Sequence, residues 1–393
     1  MTATNVSFER FAGWQRNALL AGIAGALASI AGALLDHEQF LRSYLFAYTF
    51  WIGMALGCLG ILMMHHTVGG QWGIVIRRIC EAGGSTIPFM IILMLPILFS
   101  LPALYSWARP EVVAHDLNIQ KKAGYLNVPG YVLRTVLYFA LWTFWAIRLK
   151  LLSRRQDATR DDGLIRRMRV ISAPGLVAFF FLSTFAFIDW IMSLEPHWFS
   201  TVYGGMFLIG EAVESFAFVI ALAIVLAKIG PLRPYVSKQH FHDLGNMMFA
   251  FMVLWAYLAF SQFIIIWAGN LPDEIPWYLN RLRNGWGRVA ITIVIFHFAA
   301  PFVLLLMRGV KRRIDRLLKV CLMLLAIRIV DVYWVVEPAF YGNHIRIHWM
   351  DFTTFMAVGG LWMAAFFWQI KSAPLVPIGD SRLAEAPRET VAF

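Results

Sequence analysis

Cysteine is scarce in this chain of 393 residues, and its spacing excludes several cofactors. Cys58, Cys80 and Cys321 are scattered, with no C-x-x-C and no C-x-x-C-H. Such motifs attach c-type haem, and iron–sulfur clusters need sets of cysteine ligands. Covalent haem and an intrinsic cluster are therefore excluded on ligand grounds. We expect the chain to carry no redox centre of its own.

Histidine is equally sparse in the middle of the apolar stretches. His297 is central in its stretch, whereas His65 and His66 stand at the end of theirs. Bis-histidine haem needs two histidines at matched depth on facing helices, which disfavours an intrinsic haem b. The other histidines lie in loops or at span ends without the spacing of metal ligands. We expect no metal site.

Charge is low and hydrophobic residues dominate the composition. Charged residues make up 15% and hydrophobic residues 60%, against about 25% and about 45–50% in soluble domains. A helix crosses the hydrocarbon core of a bilayer with about 20 apolar residues. The sequence predicts an all-α polytopic membrane protein with about ten transmembrane helices and no cleavable signal peptide. The predicted spans are 14–35, 40–66, 84–105, 129–148, 170–192, 199–227, 243–269, 286–307, 315–337 and 351–370.

The net charge of +11 is explained better by topology than by nucleic-acid binding. Most lysines and arginines fall on the side of the N-terminus, including the Arg-rich stretches after spans four and eight. Cytoplasmic loops of membrane proteins carry this excess of positive charge. The pattern predicts that both termini are cytoplasmic and that the basic loops contact anionic lipid headgroups.

The predicted spans divide into two groups by charge. We treat residues 1–370 as one integral membrane domain. Spans two to five, residues 40–192, have few central charges, whereas spans six, eight and nine, within residues 199–337, carry most of them. This division is consistent with two four-helix bundles flanked by spans 14–35 and 351–370.

Two segments outside the spans have a predicted structure of their own. Residues 71–81 mix aromatic and basic side chains, as in a helix lying on the cytoplasmic membrane surface. Arg77 and Glu81 are four residues apart and are expected to pair on it. Residues 371–393 form a polar tail with Pro and Ala, which we expect to be disordered in the cytoplasm.

Five ionisable residues lie at mid-membrane positions and form the main candidate site. A charge in hydrocarbon costs about 2.5–3.5 kcal/mol on insertion scales, so it is retained where it pairs, lines a polar cavity or carries a proton. A rise of ~1.5 Å per residue places the two glutamates ~18 and ~22 Å from the outer end of span six. The candidates for a proton pathway are Glu211, Glu214, His297, Arg328 and Asp331.

Each of these residues also has a purely structural interpretation. Arg328 and Asp331 are three apart and can form an intrahelical ion pair, and His297 can be a helix-contact residue. Glu211 and Glu214 share a helical face and repel when both are ionised, so we expect them to share a proton near neutral pH. That arrangement favours a proton relay.

A second group of polar residues lies at the outer boundary of the predicted membrane. Its members follow span five or precede span ten, where a quinone or a proton would pass between membrane and solvent. An interfacial turn is the alternative interpretation. These candidates for the outer end of a route are Asp189, Glu195, His197, His348 and Asp351.

Three segments resemble a known family of membrane subunits. They are SYLFAYTFWIGMALGCLGILMMHHTVGGQWGIVIRR (43–78), DWIMSLEPHWFSTVYGG (189–205) and HDLGNMMFAFMVLWAYLAFSQFIIIWAGNLPDEIPWYLNR (242–281). Over about Phe40 to Ile370 the chain resembles the ActF-type membrane subunit of alternative complex III, a bacterial quinol:electron-acceptor oxidoreductase. That subunit belongs with the polysulfide-reductase-type (NrfD-like) membrane proteins.

The resemblance implies a subunit of a quinol-oxidising respiratory or photosynthetic complex in the bacterial cytoplasmic membrane. It also implies two four-helix bundles in the subunit and a candidate proton-conducting route. Expected partners are a multihaem cytochrome c subunit, an iron–sulfur subunit, a sister ten-helix subunit and smaller subunits. These partners would hold haem c and the clusters, and quinone is a further candidate ligand. No residue of this chain is expected to be catalytic.

Two other functions remain open from the residues alone. A secondary transporter would use the same charged pocket to bind its substrate, although neither inverted repeats nor broken spans are evident in the sequence. A scaffold subunit would use the charges only to hold helices together.

Overall fold

The apolar stretches of the sequence fold as helices, which satisfy backbone hydrogen bonds without water. The computed structural model describes residues 3–342 and 344–385, with side chains over 9–342 and 344–383. No β-strand occurs in that part of the chain. The predicted all-α fold is confirmed.

Eighteen α-helices follow one another along the described chain. The first nine are α1 (Ala3–Leu35), α2 (His37–Val68), α3 (Arg77–Gly84), α4 (Ile87–Phe99), α5 (Leu101–Leu104), α6 (Pro110–His115), α7 (Leu117–Lys122), α8 (Val128–Thr159) and α9 (Gly163–Trp190). The others are α10 (Tyr203–Lys228), α11 (Lys238–Gly269), α12 (Pro276–Leu282), α13 (Trp286–Ile293), α14 (Ala300–Leu306), α15 (Arg308–Arg312), α16 (Ile314–Val336), α17 (Pro338–Tyr341) and α18 (Trp349–Ile370).

Nine helical stretches among the described residues are long and apolar enough to cross a membrane. They are α1, α2, α3 with α4, α8, α9, α10, α11, α13 with α14, and α18. This supports a polytopic membrane protein. The helix α16 has 23 residues but carries Arg328 and Asp331 within it, which lowers its apolar character. The count of ten spans stays a prediction.

Helices α2 and α10 lie at the centre of the packing. Both are buried along most of their length and pack against each other. Helix α2 also contacts α9 and α18, while α10 also contacts α9, α11 and α16. The candidate residues on α10 and α16 therefore face the protein interior.

The helix ends lie at two faces of the molecule. We call one the basic face, after its lysines and arginines, and the other the opposite face. The basic face contains the turns at 69–76, 160–162, 229–237 and 307–313, together with residues 371–385. The opposite face contains the turns at 100–127, 191–202, 270–285 and 337–348.

Residues 71–81 differ from the predicted surface helix. The chain forms a short 3-10 helix at Gln71–Gly73 and then α3, whose residues are all buried. The expected pair is present, with Arg77 Nε 3.0 Å from Glu81 Oε1. It is buried because α3 packs between α2, α8 and α18 rather than lying on a surface.

The tail also differs from the predicted disorder over its described part. Asp380 is 3% exposed and pairs with Arg77, 2.9 Å from Nη1 to Oδ2. Val376 is buried as well. The polar composition of the tail suggested disorder because it does not show that the buried Arg77, far away in the sequence, pairs with Asp380. Residues 386–393 lie outside the described residues.

Helix α1 packs on α18 through glycines, which let the two backbones approach closely. A Cβ added at Gly25 would lie 2.6 Å from the backbone nitrogen of Ala357, and one at Gly22 would lie 2.7 Å from that of Leu361.

We expect Gly25→Leu to separate the helices and to destabilise the protein by about 1–3 kcal/mol.

Unfolding of the purified chain in detergent would measure this effect. Gly13→Leu is the matched control on the same helix, because nothing lies within 4 Å of a Cβ added there. Equal stability of the two variants would show that the close approach of α1 and α18 contributes nothing.

Candidate functional site

Two neighbouring helices bring four of the five mid-membrane candidates into the interior. Glu211 and Glu214 lie on α10, and Arg328 and Asp331 lie on α16. Each pair is three residues apart, so its members share one helical face. All four side chains are buried, with at most 4% of the residue exposed. Because α10 packs against α16, the two pairs meet.

Arg328 joins the two helices. Its Nε lies 3.4 Å from Glu214 Oε2, and its Nη1 pairs with Asp331 Oδ2. A Cβ added at Gly210 would lie 2.7 Å from Arg328 Cζ, so the guanidinium presses against the backbone of α10. The Phe207 ring lies 5.5 Å from the same carbon. Glycine at 210 leaves the room that the guanidinium occupies.

His297 enters the site from a π-helical segment, Val294–Ala299, between α13 and α14. Its Nδ1 lies 3.7 Å from Asp331 Oδ2, and its ring packs at a tilt of 37° against the Trp255 ring, with centroids 3.9 Å apart. Neither ring nitrogen has a hydrogen-bond partner within the described residues. Single π-helical turns occur frequently at functional sites. We call Glu214, His297, Arg328 and Asp331 the charged cluster.

Glu211 stands apart from the charged cluster. Both carboxylate oxygens are buried and have no hydrogen-bond partner in the part of the chain that the structure describes. A Cβ added at Gly53 would lie 3.2 Å from its Oε1, so the carboxyl faces α2. An isolated buried carboxylate is costly and is normally neutral. Glu211 is therefore the candidate carrier of a proton next to the cluster.

The candidates on α9 and just after it, Asp189 and Glu195, occupy separate ion pairs. Asp189 is fully buried and accepts hydrogen bonds from Arg134, at 2.8 and 3.0 Å, and from the Tyr138 hydroxyl at 2.8 Å. Glu195 Oε2 lies 2.6 Å from Arg281 Nη2. Arg281 also donates to the carbonyl of Val335 on α16. The first pair joins α9 to α8, and the second joins the loop after α9 to α12.

The other outer candidates lie elsewhere on the opposite face. The exposed His197 has its Nε2 2.9 Å from Asp116 Oδ2. His348 caps α18, and Asp351 closes the capping box by accepting from the His348 backbone N–H at 2.8 Å. Asp351 also accepts from the Ser43 hydroxyl at 2.5 Å. The five outer candidates therefore form four separate groups, and their role in a proton route stays a prediction.

Several buried polar residues escaped the sequence analysis. Glu337, at the C-terminal end of α16, has both carboxylate oxygens buried without a partner among the described residues. At the basic face, the ring nitrogens of His65 and the Nε2 of His66 are also buried without a hydrogen-bond partner among the described residues. All three stand at the ends of predicted spans, and nothing in the sequence marks them as buried. Only the packing of neighbouring helices shows that they are enclosed.

A cavity of about 730 Å³ opens beside the end of α16 that lies at the opposite face. Its lining is mostly apolar, and Trp286, Tyr333 and Asp351 are among the residues around it. The Nε1 of Trp286 is buried without a hydrogen-bond partner in the described chain. The cavity offers an almost wholly apolar surface to a bound molecule.

The arrangement is suited to proton transfer or to ion pairing. No group of three or more His, Cys, Asp or Glu residues within 3–342 and 344–385 is placed to hold a metal ion. The charged cluster has a carboxylate on each of two helices, an arginine between them and an imidazole beside one. Neither the protein-family models nor the curated proteins compared with this chain match it.

Proposed function

We propose that this chain is a membrane subunit of a quinol-oxidising electron-transfer complex of the alternative complex III type. In this proposal it carries no redox centre and provides part of a proton-conducting pathway. The observation that carries the pathway is the meeting of Glu214, His297, Arg328 and Asp331 in the interior. The resemblance of the three sequence segments supports the complex.

The chemistry of the cluster supports movement of a proton. Arg328 contacts both Glu214 and Asp331, so it links a carboxylate on α10 to a carboxylate on α16. His297 lies beside Asp331 with no hydrogen bond at either ring nitrogen in the described chain, and a neutral imidazole can accept a proton at one nitrogen and donate one from the other. Glu211, one helical turn from Glu214, has no hydrogen-bond partner among the described residues and would hold the proton.

The proposal includes an architecture and a set of partners. The chain would have ten transmembrane helices, in two four-helix bundles with two flanking helices, and both termini in the cytoplasm of a bacterium. Its partners would be the multihaem cytochrome c subunit, the iron–sulfur subunit, the sister ten-helix subunit and smaller subunits. Haem c and iron–sulfur clusters would belong to them, and quinone would be a ligand of the assembly.

A secondary transporter and a scaffold are the competing functions. The π-helical segment at His297 favours a transporter to a limited degree, because transporters often interrupt a helix at the substrate site. A scaffold would need contacts that hold helices together, and Arg328 provides such a contact between α10 and α16. Ion-coupled uptake by the isolated chain would support a transporter.

The proton pathway predicts a change in coupling without loss of redox chemistry. We expect Glu214→Gln or Asp331→Asn to lower the number of protons released per electron in proteoliposomes that contain the assembled complex. Quinol oxidation in uncoupled membranes should persist, because the chain holds no redox centre in this proposal. Both measurements are made on the same proteoliposomes, which are uncoupled for the measurement of quinol oxidation.

Asp315→Asn is the matched control. It removes a carboxylate from the same helix α16, where the exposed Asp315 pairs with Lys228 at the basic face. The control should keep the wild-type ratio of protons to electrons. If the two cluster variants assemble and also keep that ratio, the cluster is structural and the scaffold is favoured.

A further inference from the structure

The hairpin of α8 and α9 forms a groove at the basic face. A cavity of about 680 Å³ lies between the two helices near their shared turn. Arg148 and Arg155 line it from α8, and Arg166 and Arg167 line it from α9. Arg148 and Arg155 are seven residues apart, so they lie on one face of α8, ~10 Å apart along its axis.

The four arginines are not neutralised by the chain. All four are exposed, and none of them forms an ion pair or a side-chain hydrogen bond within the described residues. The carboxylates nearest to them in sequence are engaged elsewhere. Asp157 pairs with Arg78, Asp161 accepts from the Gly163 N–H, and Asp162 accepts from the Ser381 hydroxyl.

Apolar surface continues from the arginines along both helices. Leu151 and Val170 line the same groove and are 54% and 63% exposed. Ile147 and Val177, one to two turns further from the basic face, are 45% and 61% exposed. A molecule that fits this surface has a strongly anionic head and a long apolar body.

We propose that this groove is a binding site for an anionic phospholipid. The phosphodiester of the headgroup lies among Arg148, Arg155, Arg166 and Arg167, whose planar guanidinium groups donate two parallel hydrogen bonds to phosphate oxygens. The acyl chains lie along Leu151 and Val170. Four uncompensated charges favour a headgroup with two phosphates over one with a single phosphate. This site is separate from the charged cluster and does not depend on the proposed function.

The binding test uses the full chain in nanodiscs of neutral phosphatidylcholine. Tetraoleoyl cardiolipin, dioleoyl phosphatidylglycerol or dioleoyl phosphatidylethanolamine is titrated in, and retained lipid is counted by native mass spectrometry. We expect retention in the order cardiolipin, phosphatidylglycerol, phosphatidylethanolamine. Arg155→Gln with Arg166→Gln should weaken cardiolipin retention by about 30-fold, from the contribution of each basic residue near an anionic lipid.

Arg313→Gln with Arg316→Gln is the matched control. It removes two exposed arginines from the same face, outside the groove, and should change cardiolipin retention by less than about threefold. Arg155→Lys with Arg166→Lys keeps the charge but loses the two-pronged hydrogen bonds, and should give an intermediate loss.

Three outcomes would overturn the site. Equal losses in the groove and control pairs would show a general effect of surface charge. Equal retention of phosphatidylethanolamine and cardiolipin would show an apolar groove without headgroup recognition. Displacement of cardiolipin by inorganic phosphate at the same concentration would show a site for the free ion instead.

Discussion

Replacing Arg328 with methionine is expected to destabilise the protein by about 3–5 kcal/mol, more than most single substitutions. The substitution leaves Glu214 and Asp331 buried without their shared counter-charge. A buried charge without a partner is the main cost of breaking such a pair. Thermal unfolding of the purified chain in detergent would measure the loss.

A second variant tests whether the loss arises from the carboxylates. Glu214→Gln and Asp331→Asn combined with Arg328→Met removes all three charges, and should recover most of the lost stability. Arg316→Met, on the exposed part of the same helix, should change stability by no more than about 0.5 kcal/mol. If the triple variant is as unstable as Arg328→Met alone, the guanidinium acts through its packing on Gly210 rather than through its charge.

The charged cluster was predictable from the sequence because depth and helical spacing depend only on the rise and repeat of an α-helix. Positions 214, 297, 328 and 331 fall at overlapping depths on predicted spans, and the structure brings their side chains together. The same reasoning placed Glu211 with them. It faces Gly53 on α2 instead, since the rotation of a helix about its own axis is decided by its neighbours.

The outer candidates show a different limit of sequence reasoning. Asp189, Glu195 and Asp351 all lie at the opposite face, but each has its own partner from a distant part of the chain. A sequence position gives the depth of such a residue, not which loop lies across from it. The burial of the Glu337 carboxyl could not be predicted for the same reason, since a position at the end of a span does not show which segments cover it.

The buried contact between Arg77 and the C-terminal segment provides the second large expected effect. Arg77 is 1% exposed and donates to Glu81, Asp380, Ser153 and Gln156. We expect Arg77→Met to destabilise the protein by about 3–5 kcal/mol, because several buried acceptors lose their donor. Relative to the unsubstituted protein, the variant should show a larger increase in amide hydrogen exchange in residues 371–383 than in α8 or α9.

Acid should release the same segment in the unsubstituted protein, and the direction follows from Asp380. Burial disfavours its carboxylate, but the hydrogen bond and charge of Arg382 and the charge of Arg77 hold its pKa below the ordinary value. The stabilisation from Asp380 is therefore complete above its unfolded pKa of about 3.9, and is lost as the pH falls through the lower folded pKa. Without Arg77 only Arg382 opposes protonation, so Arg77→Met should move the release of residues 371–383 to higher pH. Exchange measured across this pH range tests the contact separately from global stability. An unchanged release pH in the variant would mean that Arg77 does not hold the Asp380 carboxylate, and that the segment is retained by Arg382 and by the burial of Val376.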